Sequence, residues 1–370
     1  MERRHFLIGS TMAGSAAFAQ SPNDRIATAI IGVGNRGSHL LQGVLAQPDA
    51  RVAAVCDIKP DRLDKAATAA AKDNAKTFTD YRKVLDMNDV EAVYIATPPY
   101  LHTEMAIAAL KAGKHVYCEK PIGTTPQQVR DLMKAAKASK KVFQAGQQLR
   151  SMKMYQQAVQ QIRDGVIGDL LWVKAQRHAS ADLPYDGSSG DWYYDVSKSG
   201  GYLVEQSVHN LDLANWVIGA HPVRANGFGS TVLHKSEPPN RTIFDSGSIT
   251  YQYPSGLLMS FTQMVFHPRA MPAGSQYINV YGSKGSIDLM SNNMVYSLTE
   301  PRKAAVPLMA GKPEEDEHAH IVAFYNCVRK GAASPSGIDI GATAALTAIL
   351  GHEAMSTGKT VEWKSFGVEL

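Results

Sequence analysis

Short apolar runs recur along the first third of the chain, each followed by a stretch with helical spacing. Ala27-Thr28-Ala29-Ile30-Ile31, Arg51 to Cys56, Ala92 to Ala96 and His115 to Cys118 read as strands, bounded by turn residues and apolar on both faces. Between them, Ser38 to Leu45, Asp61 to Ala71, a short Asp80 to Asp86 and His102 to Ala112 carry helical patterns, the last closed by Gly113. Helices alternating with strands imply a parallel, doubly wound sheet. From Phe143 the pattern changes. Met154 to Arg163 predicts a helix and Leu170 to Ala175 a strand. The runs 223–232, 243–253, 256–266, 276–282 and 293–298 are strands bounded by Gly, Pro and Asn. Close joins such as Tyr253-Pro254-Ser255-Gly256 predict antiparallel pairing, and helices over 320–330 and 340–357 are expected to pack back on the body.

The first predicted strand runs directly into Gly32-Val33-Gly34-Asn35-Arg36-Gly37, a G-x-G-x-x-G between a strand and a helix. The first glycine permits a tight turn, the second lets backbone approach a pyrophosphate, and the third allows helix and strand to pack closely. The phosphates would sit at the helix N-terminus. The second strand ends at Asp57, twenty residues after Gly37, where a carboxylate can accept from a ribose 2′-hydroxyl and disfavours a 2′-phosphate. NAD is therefore the expected cofactor, with NADP open because Lys59 and Arg62 stand close to Asp57 in the chain. The third strand breaks at Thr97-Pro98-Pro99, beside the expected nicotinamide edge, with His102 either facing the ligand or serving as a structural helix start.

Lys120, between Glu119 and Pro121, ends the fourth strand, and ligands of open α/β sheets bind at strand ends. A lysine in a partly desolvated cleft can exchange a proton with a substrate hydroxyl near neutral pH. Further on, Glu205, His209 and Asp212 stand at i, i+4 and i+7, so a helix puts all three on one face. Two flanking acids would hold the histidine charged or fix its tautomer. A solvated face with a salt-linked histidine is the bland alternative.

On these residues the chain resembles the Gfo/Idh/MocA oxidoreductases. The resemblance rests on Gly32 to Gly37, Thr97-Pro98 with His102, Glu119-Lys120-Pro121, and Gly200-Gly201 with His209 and Asp212, and spans nearly everything after residue 25. Where the family pattern has Asp and Gly, this chain has Glu205 and Ser207. The resemblance implies a Rossmann domain over 25–146 and, over 147–370, an α+β domain with a mostly antiparallel open sheet. It also implies an NAD(P)-dependent dehydrogenase of a sugar, glycoside, inositol or related polyol. Lys120 would be the acid/base, His209 its partner in proton transfer and Glu205 a ligand of a substrate hydroxyl. Asn35, Arg36 and Glu119 join the cofactor set, and Arg150 stands where the family turns into its second domain. A homo-oligomer, dimer or tetramer, is expected through the second sheet. Glycoside hydrolysis through transient NAD-linked oxidation and a non-catalytic nucleotide-binding sensor are the alternatives.

The chain has 370 residues, 44% of them hydrophobic, enough for two cores, and its net charge of +4 lacks any basic cluster interleaved with aromatics. Nucleic acid is thus not an expected partner. Arg3-Arg4-His5-Phe6-Leu7, a mild apolar stretch and Ala17-Phe18-Ala19 read as a twin-arginine signal over 1–19 with an A-x-A cleavage site. Export to the periplasm or beyond follows, with no stable membrane association after cleavage. Because an exported enzyme has no free nucleotide pool, a tightly held cofactor is expected. Cys56, Cys118 and Cys327 do not form a disulfide framework. No metal site is expected: His318 and His320, after Glu315-Asp316-Glu317, read more simply as a solvated helix start. The polar–aromatic loop from Asp191, with Trp192 and Tyr193, suits a sugar face as well as it suits an interface, and Arg177 and His178 at a strand end are candidates of the same kind.

Overall fold

A computed structural model describes residues 25–180, 191–233, 241–268, 270–271, 274–290, 294–308 and 317–369; the expected leader over 1–19 lies outside them. The first sheet contains β1 (Ile26–Ile31), β2 (Ala50–Cys56), β3 (Lys76–Phe78), β4 (Ala92–Ile95), β5 (His115–Cys118) and β6 (Phe143–Ala145). Its order is β3-β2-β1-β4-β5-β6, and all pairs are parallel. The helices are α1 (Asn35–Leu45), α2 (Pro60–Ala69), α3 (Tyr81–Leu85), α4 (His102–Lys111) and α5 (Pro126–Ala138). This is the strand order of the dinucleotide-binding α/β fold, whose direction reverses between β1 and β4 and so opens a crevice at their C-terminal ends.

The second sheet holds nine strands: β7 (Leu170–His178), β8 (Arg224–Ser230), β9 (Ser246–Gln252), β10 (Leu258–Met264), β11 (Gln276–Gly282), β12 (Gly285–Asp288), β13 (Met294–Ser297), β14 (Val306–Pro307) and β15 (Val361–Glu362). They lie in the order β14-β13-β12-β11-β7-β10-β9-β8-β15, antiparallel except for the β7–β10 pair. The fold class read from the sequence is the one observed. Against it pack α8 (Val208–Ile218) and α10 (Ile338–Thr357), with α6 (Lys153–Arg163) lying on α8; the chain also forms α7 (Val196–Ser199) and α9 (Ala319–Lys330).

The last two helices do not stay with the second sheet. Phe324 and Tyr325 of α9 reach under the first sheet, where Phe324 meets Tyr94 and Tyr117 edge-on and the Tyr325 hydroxyl lies 2.8 Å from that of Thr28. Ser336 pairs with Ala145 on β6, covering the sheet edge before α10 begins. In α10, Gly341 lies close against Ala145 and Ile122, and Gly351 against Tyr251, so small residues let one helix seat against both sheets. All three cysteines are buried and free.

Candidate active site

A cleft of about 1650 Å³ runs along the C-terminal ends of β1, β2, β4 and β5 and onto the inner face of β7 and α8. That exceeds what one small ligand fills, and leaves room for a dinucleotide with a second molecule. Its floor is built by the glycines. Gly32 has φ +84, and a Cβ there would lie 2.8 Å from the backbone of Ala96 and Thr97. A Cβ on Gly37 would lie 1.8 Å from the Gly32 carbonyl oxygen, so only glycine lets α1 start this close to β1. Helix α1 has no side-chain cap at its N-terminus, which leaves its first N–H groups open to an anion beside Gly34 and Asn35. Asp57 closes the β2 end. Its carboxylate accepts from Val33 N (2.8 Å) and Lys59 N (2.9 Å), fixing it toward the cleft with lone pairs to spare for a ribose diol. These features fit a dinucleotide.

Three long-range contacts lock the loop ends together. The Arg36 Nε donates to Glu119 (2.7 Å) and its NH2 to Gln148 (2.7 Å), with His320 Nε2 from α9 at 3.3 Å. Burial works against the Glu119 charge, but Arg36 and Lys120 outweigh it and hold this carboxyl below its ordinary value. His320 is therefore not at a solvated helix start; it is buried against the cofactor loop because α9 docks under the first sheet. Among the described residues no cluster of metal-ligating side chains occurs. His102 is also buried, with Nδ1 2.7 Å from the Pro121 carbonyl and Nε2 2.7 Å from the Thr97 carbonyl. Burial lowers its pKa. Its ring thus ties the Thr97-Pro98 loop to the loop after Lys120 and holds the cleft's rim through backbone.

Lys120 Nζ donates to the Glu205 carbonyl (2.6 Å) and to Glu205 Oε1 (3.1 Å). An ammonium has three donors, so one remains for a substrate oxygen. The other Glu205 oxygen accepts from Gln206 Nε2 (2.5 Å), and Gln206 Oε1 in turn accepts from Arg177 (2.9 Å). Glu205 is thereby first the residue that aims Lys120. Trp192, Tyr193 and Arg177 line the same end of the cleft.

The one-face reading of Glu205, His209 and Asp212 does not hold. Leu203–Ser207 forms a π-turn ahead of α8, and its wider turn shifts the register, so Glu205 and His209 face the cleft while Asp212 turns away. Asp212 is buried in a two-pronged pair with Arg150, at 2.8 to 3.1 Å, and Arg150 also lies over the Trp216 ring. Neither lines the cleft, so Arg150 and Asp212 are not substrate ligands but a brace joining the start of α6 to α8. Among the described residues no acid bonds His209, and its Nδ1 is buried without a partner. Burial, then the nearby Lys120, Arg177 and Arg36, keep it neutral, its pKa far below the ordinary imidazole value. Gln206, Gln148 and His320 were not legible in the sequence, since each acts through a contact set by tertiary packing.

Fold and site together define a nicotinamide-dinucleotide oxidoreductase. The sequence model described as "Oxidoreductase family, NAD-binding Rossmann fold" matches residues 26–147, and that described as "GFO/IDH/MocA C-terminal domain" matches residues 155–288. The chain belongs to the Gfo/Idh/MocA oxidoreductase family. Its relatives include a 2,7-anhydro-N-acetylneuraminate hydratase of Escherichia coli, 28% identical over 78% of this chain and 74% of that one. An inositol 2-dehydrogenase/D-chiro-inositol 3-dehydrogenase of Lactiplantibacillus plantarum is 33% identical, over 51% of each chain. Among solved structures, levoglucosan dehydrogenase in complex with NADH and levoglucosan shares the fold, with a TM-score of 0.78 at 20% identity, covering 91% of this chain and 99% of that one.

Proposed function

We propose that the protein moves hydride between NAD and a secondary alcohol of a sugar, glycoside, inositol or related polyol. The observation that carries the reading is the juxtaposition, in one cleft with the glycine floor, of Lys120 on its Glu205 support and a neutral His209 with an unpaired Nδ1. Gly34, Asn35 and the open start of α1 would hold the pyrophosphate and Asp57 the adenosine ribose. The bound dinucleotide supplies the hydride acceptor. As the ammonium, Lys120 gives a proton to the substrate carbonyl oxygen in the reducing direction, and as the neutral amine it takes the hydroxyl proton in the oxidising one. Glu205 fixes the direction of Nζ, and His209 Nδ1 stands ready to share the proton because it carries none of its own charge. Trp192 and Tyr193 give the sugar an aromatic wall.

The Arg3-Arg4 leader supports export of a folded, loaded protein, and with it a cofactor that stays bound through turnover. Nucleotide absorbance retained after dialysis is the expected result. A dimer or tetramer through the second sheet belongs to the same proposal.

The test is a panel of sugars and polyols followed by reduced-cofactor fluorescence, with Lys120→Met alongside the parent. General acid–base catalysis contributes roughly 10²- to 10⁴-fold, so the variant should lose about that much in kcat/KM while still binding NADH. Undiminished oxidation by the variant refutes the mechanism. The hydratase relatives, and a glycosyl hydrolase family 109 protein of Saccharopolyspora erythraea that is 32% identical over half of this chain, favour one second reading: transient oxidation followed by elimination or hydration. Product formation without net NADH distinguishes it.

A further inference from the structure

The substrate end of the cleft carries two cations, Lys120 and Arg177, against one acid, Glu205. The Arg36 and Glu119 charges cancel within their own pair. Lys120 is satisfied by an anion, since Glu205 Oε1 lies 3.1 Å from Nζ. Arg177 is not. It donates NH1 to the Gln276 side-chain oxygen and NH2 to that of Gln206 at 2.9 Å, both neutral acceptors, with the Tyr202 phenol beside it. A guanidinium has five N–H donors in a planar fork matched to a carboxylate. The two glutamines and the Tyr202 phenol take three, so the others are left for a ligand.

Its neighbours add polar capacity. His178, the next residue on β7, and His267 have their rings 5.2 Å apart, and both line the cleft. His178 Nδ1 and His267 Nε2 are buried without partners, although both residues are more than nine-tenths buried. Burial, with His267 adding to it, pushes the His178 pKa down to about 4, so this ring is neutral at working pH. Unpaired buried ring nitrogens are costly in the free protein and are satisfied by ligand hydroxyls. The wall thus presents one uncompensated positive charge flanked by two imidazoles, each with a buried ring nitrogen open to a ligand hydroxyl.

We propose that the substrate is a sugar acid, an aldonate or uronate, whose carboxylate is received by Arg177 while His178 and His267 take hydroxyls. The proposal rests on the oxidoreductase reading above and names its substrate class. Arg177 sits one residue before the end of β7, held from both sides by Gln276 on β11 and Gln206 ahead of α8, so the fork is preorganised and loses little on binding.

The test uses pairs of probes that differ only in charge: D-glucuronate and D-glucuronamide, with the galacturonate and mannuronate pairs beside them. Each is titrated calorimetrically into protein loaded with NADH, so that binding is read without turnover. A hydrogen-bonded charge contact predicts that at least one acid binds roughly 10- to 100-fold more tightly than its amide. In R177Q that ratio should collapse toward one, and R177K should restore only part of it because the fork is lost. Amides binding as tightly as their acids, or no acid binding at all, overturns the proposal, as does a ratio untouched by R177Q. The two readings fail separately. Acids that bind and are never oxidised leave the Arg177 site standing and remove hydride transfer; neutral sugars oxidised with no preference for acids do the reverse.

Discussion

Replacing Arg150 by methionine removes one half of a buried ion pair and leaves the other. Asp212 is 1% exposed and accepts three hydrogen bonds, all from Arg150. Without them its carboxylate has no partner in an interior that already raises its pKa by burial, Arg150 being what pulls it back. Breaking a buried pair by removing one partner costs about 3–5 kcal/mol, whereas replacing both partners with apolar side chains of similar volume is often neutral or better. Arg150→Met should therefore be destabilised by about 3–5 kcal/mol, and Arg150→Met combined with Asp212→Leu should recover most of it. The sign of the pH dependence follows. A carboxyl whose folded pKa is raised is best tolerated when protonated. The deficit of the single variant should thus be largest near neutrality and shrink as pH falls through the raised value. Equilibrium unfolding at two pH values, with KM measured for the single and double variants, reads both. A double variant that is folded and stable but has lost substrate affinity selectively would return the pair to the binding site and refute the brace.

Gly37→Ala should abolish NADH binding and lower stability, because its Cβ would lie 1.8 Å from the Gly32 carbonyl oxygen; calorimetric titration with NADH checks it. His209 has a strongly lowered pKa, so the unfolded chain takes up the proton first and this group costs stability as pH falls below the ordinary imidazole value towards the folded one, and nothing above it. The acid limb of kcat/KM should accordingly show no inflection near the ordinary imidazole value of about 6.5. An inflection there that disappears in His209→Asn would contradict a neutral His209.

The glycine floor and Asp57 were legible because each answers a demand of local backbone: a left-handed turn at Gly32, a close approach at Gly37, a strand end at Asp57. The alternation of strand and helix patterns carried the first sheet for the same reason. Lys120 was legible as a strand-end residue and through resemblance. What could not be read was which side chain meets which. Arg36 meets Glu119 across 83 residues and His320 across 284, and nothing near either marks the encounter. The helix periodicity of 205–212 misled because no residue in Leu203–Ser207 distinguishes a π-turn from an α-turn, and that one difference sent Asp212 to Arg150. Histidines were read by their polar neighbours in sequence; His320 was buried because aromatic residues four and five positions on, Phe324 and Tyr325, dock beneath the sheet.

The docking of α9 has a consequence for the order in which the molecule is made. The three glycines leave the ribosome early, but Tyr94 and Tyr117 lack their cover, and Arg36 its third contact, until residues 319–330 have been synthesised. Full support of the nucleotide loop thus waits on α9, long after the glycine floor itself has been made.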